Sequence, residues 1–283
     1  MAWSGSLGAS CAAGSSITFT PDTTAQGAYT VSAFTAPRRA VYRFVLKGSG
    51  GSRYGVSESG ASCAQGGAGG MTTGYLLLDA GETVYVGAGG PCSAAFVAKK
   101  HASSLAALGA KSSLYFVAGA GGEGGANWGQ TYNMKSGTGG AGGGASGGTG
   151  TNVNGTPGAA GTQAGGYAFG TGGASVYTNV SDTSLRSGRG GDGLYGGHAG
   201  TGADGGGGGS GYVHAASLSV YGSAYANATS QGGGAAGGAS GSVAVSCHAE
   251  AGLPLLYNGT RVTKLVYNGT QVTRLVYNGT TIF

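Results

Sequence analysis

Charged residues are scarce, at 8% of the 283-residue chain, with nine acids in all and a formal net charge of +5. Lys and Arg are spread out, and no basic block is interleaved with aromatics, which argues against a nucleic-acid-binding protein. So few acids also argue against a glycan-cleaving enzyme, which needs two carboxylates across a sugar groove. Asp79 and Glu82 share one turn, and nothing marks out a pair among Asp182, Asp192 and Asp204. No apolar run reaches about 18 residues, so no transmembrane helix is expected. Proline is rare and the glycines keep no third-position rule, which excludes collagen. Cys11, Cys63, Cys92 and Cys247 are far apart, with no CxxC and no metal-ligand spacing. The N-terminus lacks the basic and apolar regions of an export signal. The cysteines are therefore expected as thiols, with Cys247 a small buried residue at a strand end.

Catalytic motifs are also missing. "GASGG" (144–148) fits a nucleophile elbow, but no strand leads into it and no helix leaves it. GxGxxG matches recur for compositional reasons and lack a βαβ unit. "GGDG" and "GAD" have no calcium-repeat period, and His101, His198, His214 and His248 stand singly. The expectation is a protein without catalytic residues, cofactor or metal.

What is present is glycine. The chain has 67 Gly and 5 Pro among 283 residues, about a quarter together, a level typical of low complexity. Yet short β patterns punctuate it: "SITFT" (16–20), "AYTVSAFT" (28–35), "AVYRFVLKG" (40–48), "TTGYLLL" (72–78), "ETVYVG" (82–87) and "SSLYFVAG" (112–119). Only residues 93–109 offer helix formers, ending in Gly109 as a helix stop, so one short helix is expected there. From about 119 to 241 the chain is mostly Gly with Ala, Ser and Thr, and strands return at 211–222 and 241–247. This region is closed at both ends, unlike a disordered tail.

Glycine loses the most conformational entropy on folding. Extended three-residue-per-turn helices that hydrogen-bond to one another offset that loss, since only glycine lets backbones approach so closely. Inserts between the glycine runs would form end loops. They carry Trp128, Tyr132, Tyr167, Phe169, Tyr177 and Tyr195. Aromatics on a rigid scaffold cover contact area at low entropic cost, so these six are candidate contact residues; the alternative is that they plug the bundle ends.

The last 33 residues repeat a ten-residue phrase around Asn258-Gly259, Asn268-Gly269 and Asn278-Gly279. Asn-Gly between apolar residues signals a two-residue hairpin turn, which explains the triplets without invoking glycosylation. Tyr257 then faces Thr260, Leu256 faces Arg261 and Leu255 faces Val262. Alternation puts Leu255, Tyr257, Val262, Leu265, Tyr267, Val272, Leu275, Tyr277 and Ile282 on one face. Such a thin sheet needs a partner, and the expected role is docking or oligomerisation, a trimer being favoured, with a capping meander as the alternative. Arg261, Lys264 and Arg274 without acids suit an anionic neighbour or charged sheet edges.

The ordered series "VYRFVLKGSGG", "GGAGGMTTGYLLLDAGETVYVGAGG", "GAKSSLYFVAGAGGEGG", "GGGGGSGYV" and "GSVAVSC" resembles the glycine-rich domain of phage tail adhesins and anaplastic lymphoma kinase-like receptors, over roughly 17–247. The "VYNGT" tail resembles C-terminal repeats of prophage structural proteins from Gram-positive bacteria. The resemblance implies an all-β, jelly-roll-like β-sandwich with an inserted polyglycine II bundle. Its expected organisation is an N-terminal segment (1–16), a sandwich domain (17–250) with the bundle at about 119–241, and hairpin repeats (251–283). In the phage branch, the implied role is non-enzymatic binding of a bacterial surface glycan or protein by a virion component that also contacts other virion proteins. A purely structural virion role is the alternative.

Overall fold

The computed structural model describes residues 2–5, 7, 15–53, 62–128, 135–180, 183–214, 224–226 and 238–250, with short paired strands in the C-terminal repeats. The fold is all-β, and every strand pair is antiparallel. One six-stranded sheet is built from β1 (Ala2–Gly5), β2 (Ser16–Thr20), β4 (Ala40–Lys47), β6 (Met71–Leu78), β14 (Ala224–Ala226) and β15 (Ser242–Glu250), in the order β1-β2-β15-β4-β6-β14. Against it lies a five-stranded sheet of β3 (Tyr29–Thr35), β7 (Thr83–Gly89), β8 (Ala95–Ala98), β9 (Leu114–Ala118) and β13 (Tyr212–Val213), in the order β13-β9-β8-β7-β3.

The two sheets form a sandwich because alternate side chains of their strands meet in one core. In β4, Tyr42, Phe44 and Leu46 face inward while Arg43 is exposed. Phe44 meets Phe116 of β9 and Phe34 of β3, with ring centroids 5.9 and 6.0 Å apart. A second cluster covers the outer side of the five-stranded sheet, where Phe96, Leu114 and Val117 pack with Leu105, Leu108 and Leu194.

The segment 93–109 differs from the helix expected there. Ala95–Ala98 is a fully buried strand between β7 and β9, because Phe96 and Val97 fill the two opposite faces of the sheet. Only Ala106–Leu108 turns, as a 3-10 helix, and Gly109 ends it with the left-handed φ of 75° that suits glycine. Cys247 also departs from expectation. It is buried, but it is disulfide-bonded, whereas Cys63 and Cys92 are free. The thiol expectation rested on compartment alone, and compartment does not determine which sulfurs the fold brings together.

Between the strands the glycine runs form a bundle of three-residue-per-turn helices. Residues 204–210 run through its centre. Along this helix the N–H groups of Gly205 and Gly208 go to Thr151 and Gly148, those of Gly206 and Gly209 to Glu123 and Ala120, and those of Gly207 and Ser210 to His198 and Tyr195. The carbonyls of Asp204 and Gly207 accept from Gly188 and Gly191, those of Gly205 and Gly208 from Gly158 and Gly161, and those of Gly206 and Gly209 from Gly140 and Gly143. A bonding partner that recurs every third residue is the signature of polyglycine II helices packed side by side. Three neighbours accept, three donate, and the central helix is enclosed by backbone.

The bundle also draws in chain from before the glycine-rich half. Residues 48–52 and 64–70 join it through Gly48 to Gly70, Gly51 to Gly67, Gly67 to Gly122 and Gly70 to Gly119. The bundle's near end continues into the sandwich: Gly48 follows β4, Gly70 precedes β6 and Gly119 follows β9. At the far end a small sheet caps it, formed by β5 (Ser62–Cys63), β10 (Ala126–Trp128), β11 (Tyr177–Val180) and β12 (Thr183–Arg186), in the order β11-β12-β10-β5.

The C-terminal repeats pair as three separate hairpins, β16 (Leu256–Tyr257) with β17 (Thr260–Arg261), β18 (Val266–Tyr267) with β19 (Thr270–Gln271), and β20 (Val276–Tyr277) with β21 (Thr280–Thr281). Tyr257 is opposite Thr260 and Leu256 opposite Arg261, the register expected for a two-residue connection. Leu255, Val262, Leu265, Val272, Leu275 and Ile282 lie outside the described residues.

The central helix sets a sharp contrast between glycines. A Cβ added at Gly206 would collide with the Arg189 carbonyl, which is backbone and cannot turn aside, whereas one added at Gly165 meets nothing within 4 Å. Gly206→Ala is expected to destabilise by more than about 4 kcal/mol or to prevent folding. Gly165→Ala should stay within about 1 kcal/mol of the parent; thermal unfolding of both checks this.

Candidate functional site at the far end of the glycine bundle

Five of the six aromatics picked out in the sequence divide between the two ends of the bundle. Phe169 and Tyr195 are at the sandwich end, half-buried, edge to face at 6.2 Å, and packed on the cluster of Leu105, Leu108 and Leu194. They plug that end. Tyr167 is also placed there by its bond to Gly196, but it is 52% exposed and sits edge-on to His198 at 5.8 Å. Trp128 and Tyr177 are at the far end, in the capping sheet. Tyr132 lies outside the described residues.

Strand register brings the far-end pair together. Tyr177 is opposite Arg186 and Trp128 is opposite Ser184. Positions 184 and 186 share a face of β12, so Trp128 and Tyr177 approach on a diagonal across it. Their rings are nearly parallel, 13° apart in plane and 6.2 Å between centroids, and the Arg186 guanidinium lies 5.6 Å from the Tyr177 ring. Tyr177 is 58% exposed and its neighbour Val176 is exposed as well. The result is a ladder of flat groups with an open edge.

This ladder is anchored in the bundle. Arg186 pairs with Glu123 at 2.9 Å and donates to Ser175 Oγ at 2.9 Å. Glu123, 2% exposed, also accepts from Ser52 Oγ and from the Arg189 backbone N–H. One carboxylate thus joins residues 48–52, the run 119–125, the run 187–193 and the capping sheet. The sequence reading missed both Glu123 and Arg186. For Glu123 the usable signal was a charge isolated within glycine, "GGEGG", since a charged residue inside a close-packed bundle has to find a partner; Arg186, in "SLRSG", carries no such mark.

A second buried pair ties the bundle to the sandwich. Asp192 accepts from Arg189 at 3.0 Å, from the Gly172 N–H at 2.8 Å and from the Tyr29 hydroxyl of β3 at 2.8 Å. Burial pushes the Asp192 carboxyl above its ordinary value, against the pull of Arg189, and burial raises the Tyr29 hydroxyl well above its own. Cys92 lies beside this network with a left-handed φ of 64°, and burial pushes its thiol up to about 11, where it is not a nucleophile near neutral pH.

Next to the ladder is a cavity of about 460 Å³ lined by Asn127, Lys135, Val153 and Asn154. The loop that carries Val153 and Asn154 is held by Asp204, whose Oδ1 accepts both of their N–H groups at 2.6 and 3.0 Å. No cluster of His, Cys, Asp and Glu that could hold a metal ion is found among the described residues. In comparisons with known proteins, no family model matches the chain and no curated protein matches it.

Removing one partner of a buried ion pair strands the other charge. Arg186→Met is expected to cost about 3–5 kcal/mol. Adding Glu123→Gln should recover part of that loss, because an amide is far less costly to bury without its cation than a carboxylate. Chemical denaturation of the single and double variants checks the sign of the coupling.

Proposed function

We propose that this chain is a phage virion protein that binds the bacterial host surface, with the far end of the glycine bundle as its recognition surface. The sequence resemblance to glycine-rich phage adhesins motivates the first half of this reading. The observation that carries the second is the ladder of exposed Tyr177, half-buried Trp128 and buried Arg186, held on the bundle away from the sandwich. An exposed ring such as Tyr177, backed by half-buried Trp128, suits stacking against sugar rings or apolar side chains, with hydrogen bonds from the surrounding loops giving orientation. Binding without chemistry is the corresponding mode of action: the site offers contact area and donors.

The second reading is a purely structural virion part. It is favoured by the three hairpins that repeat one register at ten-residue intervals. In this reading the repeats dock the chain or hold a trimer, through the face that includes Tyr257, Tyr267 and Tyr277. The two readings are compatible if the repeats assemble what the bundle end then displays.

Fluorescently labelled protein, incubated with cells of its source host and with unrelated strains, tests the recognition reading. Selective, saturable labelling is expected, and Trp128→Ala with Tyr177→Ala should weaken it about tenfold or more, as the loss of about 1.4 kcal/mol or more of contact would. Tyr167→Ala, at the other end, should leave it unchanged. Equal labelling by parent and double variant would move the site elsewhere. For the repeats, light scattering of residues 1–252 should give a lower molar mass than the full chain; equal masses would remove the oligomerisation role.

A further inference from the structure

The cavity beside the aromatic ladder has, in its wall and behind it, acceptors that the fold does not use. Among the described residues its lining is Asn127, Lys135, Val153 and Asn154. Asn127 is 7% exposed, and its Oδ1 is buried with no hydrogen-bond partner. Asp204 is fully buried behind the loop that carries Val153 and Asn154. Its Oδ1 accepts from both of their N–H groups, but its Oδ2 has no partner. Buried polar atoms are normally paired, and an acceptor left without a donor is destabilising. Both residues stand on paired backbone: Asn127 lies in β10 between Ser62 of β5 and Leu185 of β12, and Asp204 begins the central helix.

These groups select among ligands by charge. An anion would meet two unpaired oxygens, one of them a carboxylate's. A cation would meet Lys135, which shares the cavity wall. A bare ion would also leave most of the cavity's volume of about 460 Å³ unfilled. That volume falls in the range of about 300–1,000 Å³ that small-molecule sites occupy. A hydroxyl group suits the site, because it donates to one neighbour while accepting from another. Asn127 Oδ1 can take its proton, and the Asn127 amide and the Lys135 ammonium can donate to its oxygen. Val153 is the one apolar side chain of the described lining and offers a surface for C–H groups.

We propose that this cavity receives an uncharged polyhydroxyl unit, a neutral sugar of the host surface, with Asn127 Oδ1 accepting from one of its hydroxyls. The proposal rests on the recognition reading above and adds the chemical class of the ligand and the residue that reads it. It also explains why a nine-tenths buried amide oxygen is left unpaired: its donor arrives with the ligand. The fold alone would be better served by an apolar side chain at that position. No bond is made or broken.

The test uses the full chain over surfaces coated with neutral polymers (dextran, galactan and mannan), with anionic polygalacturonate or with cationic chitosan. At least one neutral polymer is expected to bind, about tenfold or more tighter than either charged one, and with little change as salt is raised from low to physiological strength. Asn127→Leu removes the acceptor at similar size. It should weaken binding about fivefold or more while the melting temperature stays at or above the parent's, since the fold loses only an unpaired polar group. Lys135→Gln keeps a donor and should hold binding within about twofold. A charged polymer bound best, no neutral polymer bound, binding that salt abolishes, or an Asn127→Leu that melts lower and binds as the parent does would each overturn the proposal. Should Asn127→Leu not fold, the parent's polymer preference and salt response still decide. Host-cell labelling separates the two levels. Cells that bind the parent and Asn127→Leu alike refute the cavity's role and leave the recognition reading standing. Cells that do not bind the folded parent refute the recognition reading itself.

Discussion

The structure depends on backbone meeting backbone with no side chain between. Residues 204–210 are surrounded by other chain segments that their own amides and carbonyls bond in turn, so the centre of the bundle is a lattice of peptide groups. A lone glycine run in water gives up too much entropy to hold one shape. Here each residue of the central run gains a donor and an acceptor partner, and the lattice forms as a whole or not at all. The apolar core does a different job. Phe34, Phe44 and Phe116 hold two sheets together, and those sheets fix where the glycine runs begin.

Charge is used inside the bundle, which is unusual for so uncharged a chain. Glu123, Arg189, Asp192 and Asp204 occupy positions in the glycine helices themselves. The three carboxylates reach out of their own helices, Glu123 to the capping sheet, Asp192 to the sandwich and Asp204 to the loop at 153–154, while Arg189 pairs with Asp192 within one run. Backbone bonding alone would allow the helices to slide by three residues, because the pattern repeats at that interval. A carboxylate with one matching partner removes that freedom, a specificity role that buried polar groups fill elsewhere.

Much of this could be read in the amino acids, and the parts that could not have definite reasons. Alternation in 40–47 and 83–89 announces strands because period two is local. The hairpin register at Tyr257 and Thr260 was legible from Asn-Gly for the same reason. Residues 95–98 misled, since Ala-Phe-Val-Ala has no polar position to betray a strand buried on both faces. The bundle's membership of 48–52 and 64–70 was also hidden, because a short glycine run looks like any loop until its lateral partners are known. Among the aromatics, sequence marked the right residue type but not the end of the bundle. Phe169 and Tyr195 plug one end while Trp128 and Tyr177 are presented at the other, and that division follows from the direction in which each glycine run travels.

The position of the central helix in the chain has a consequence for how the molecule is made. Its neighbours at 119–125, 137–143, 147–151, 158–161, 187–193 and 196–198 all come earlier in the sequence. A ribosome adding about 5–20 residues each second would release the entire sheath before the rod that fills it. Until residue 211 has emerged, the inward-facing peptide groups of that sheath have only water, or one another, to bond. Because the lattice forms as a whole, the earlier glycine runs stay unassembled through the middle of synthesis, and the final shape waits on a late stretch of almost pure glycine.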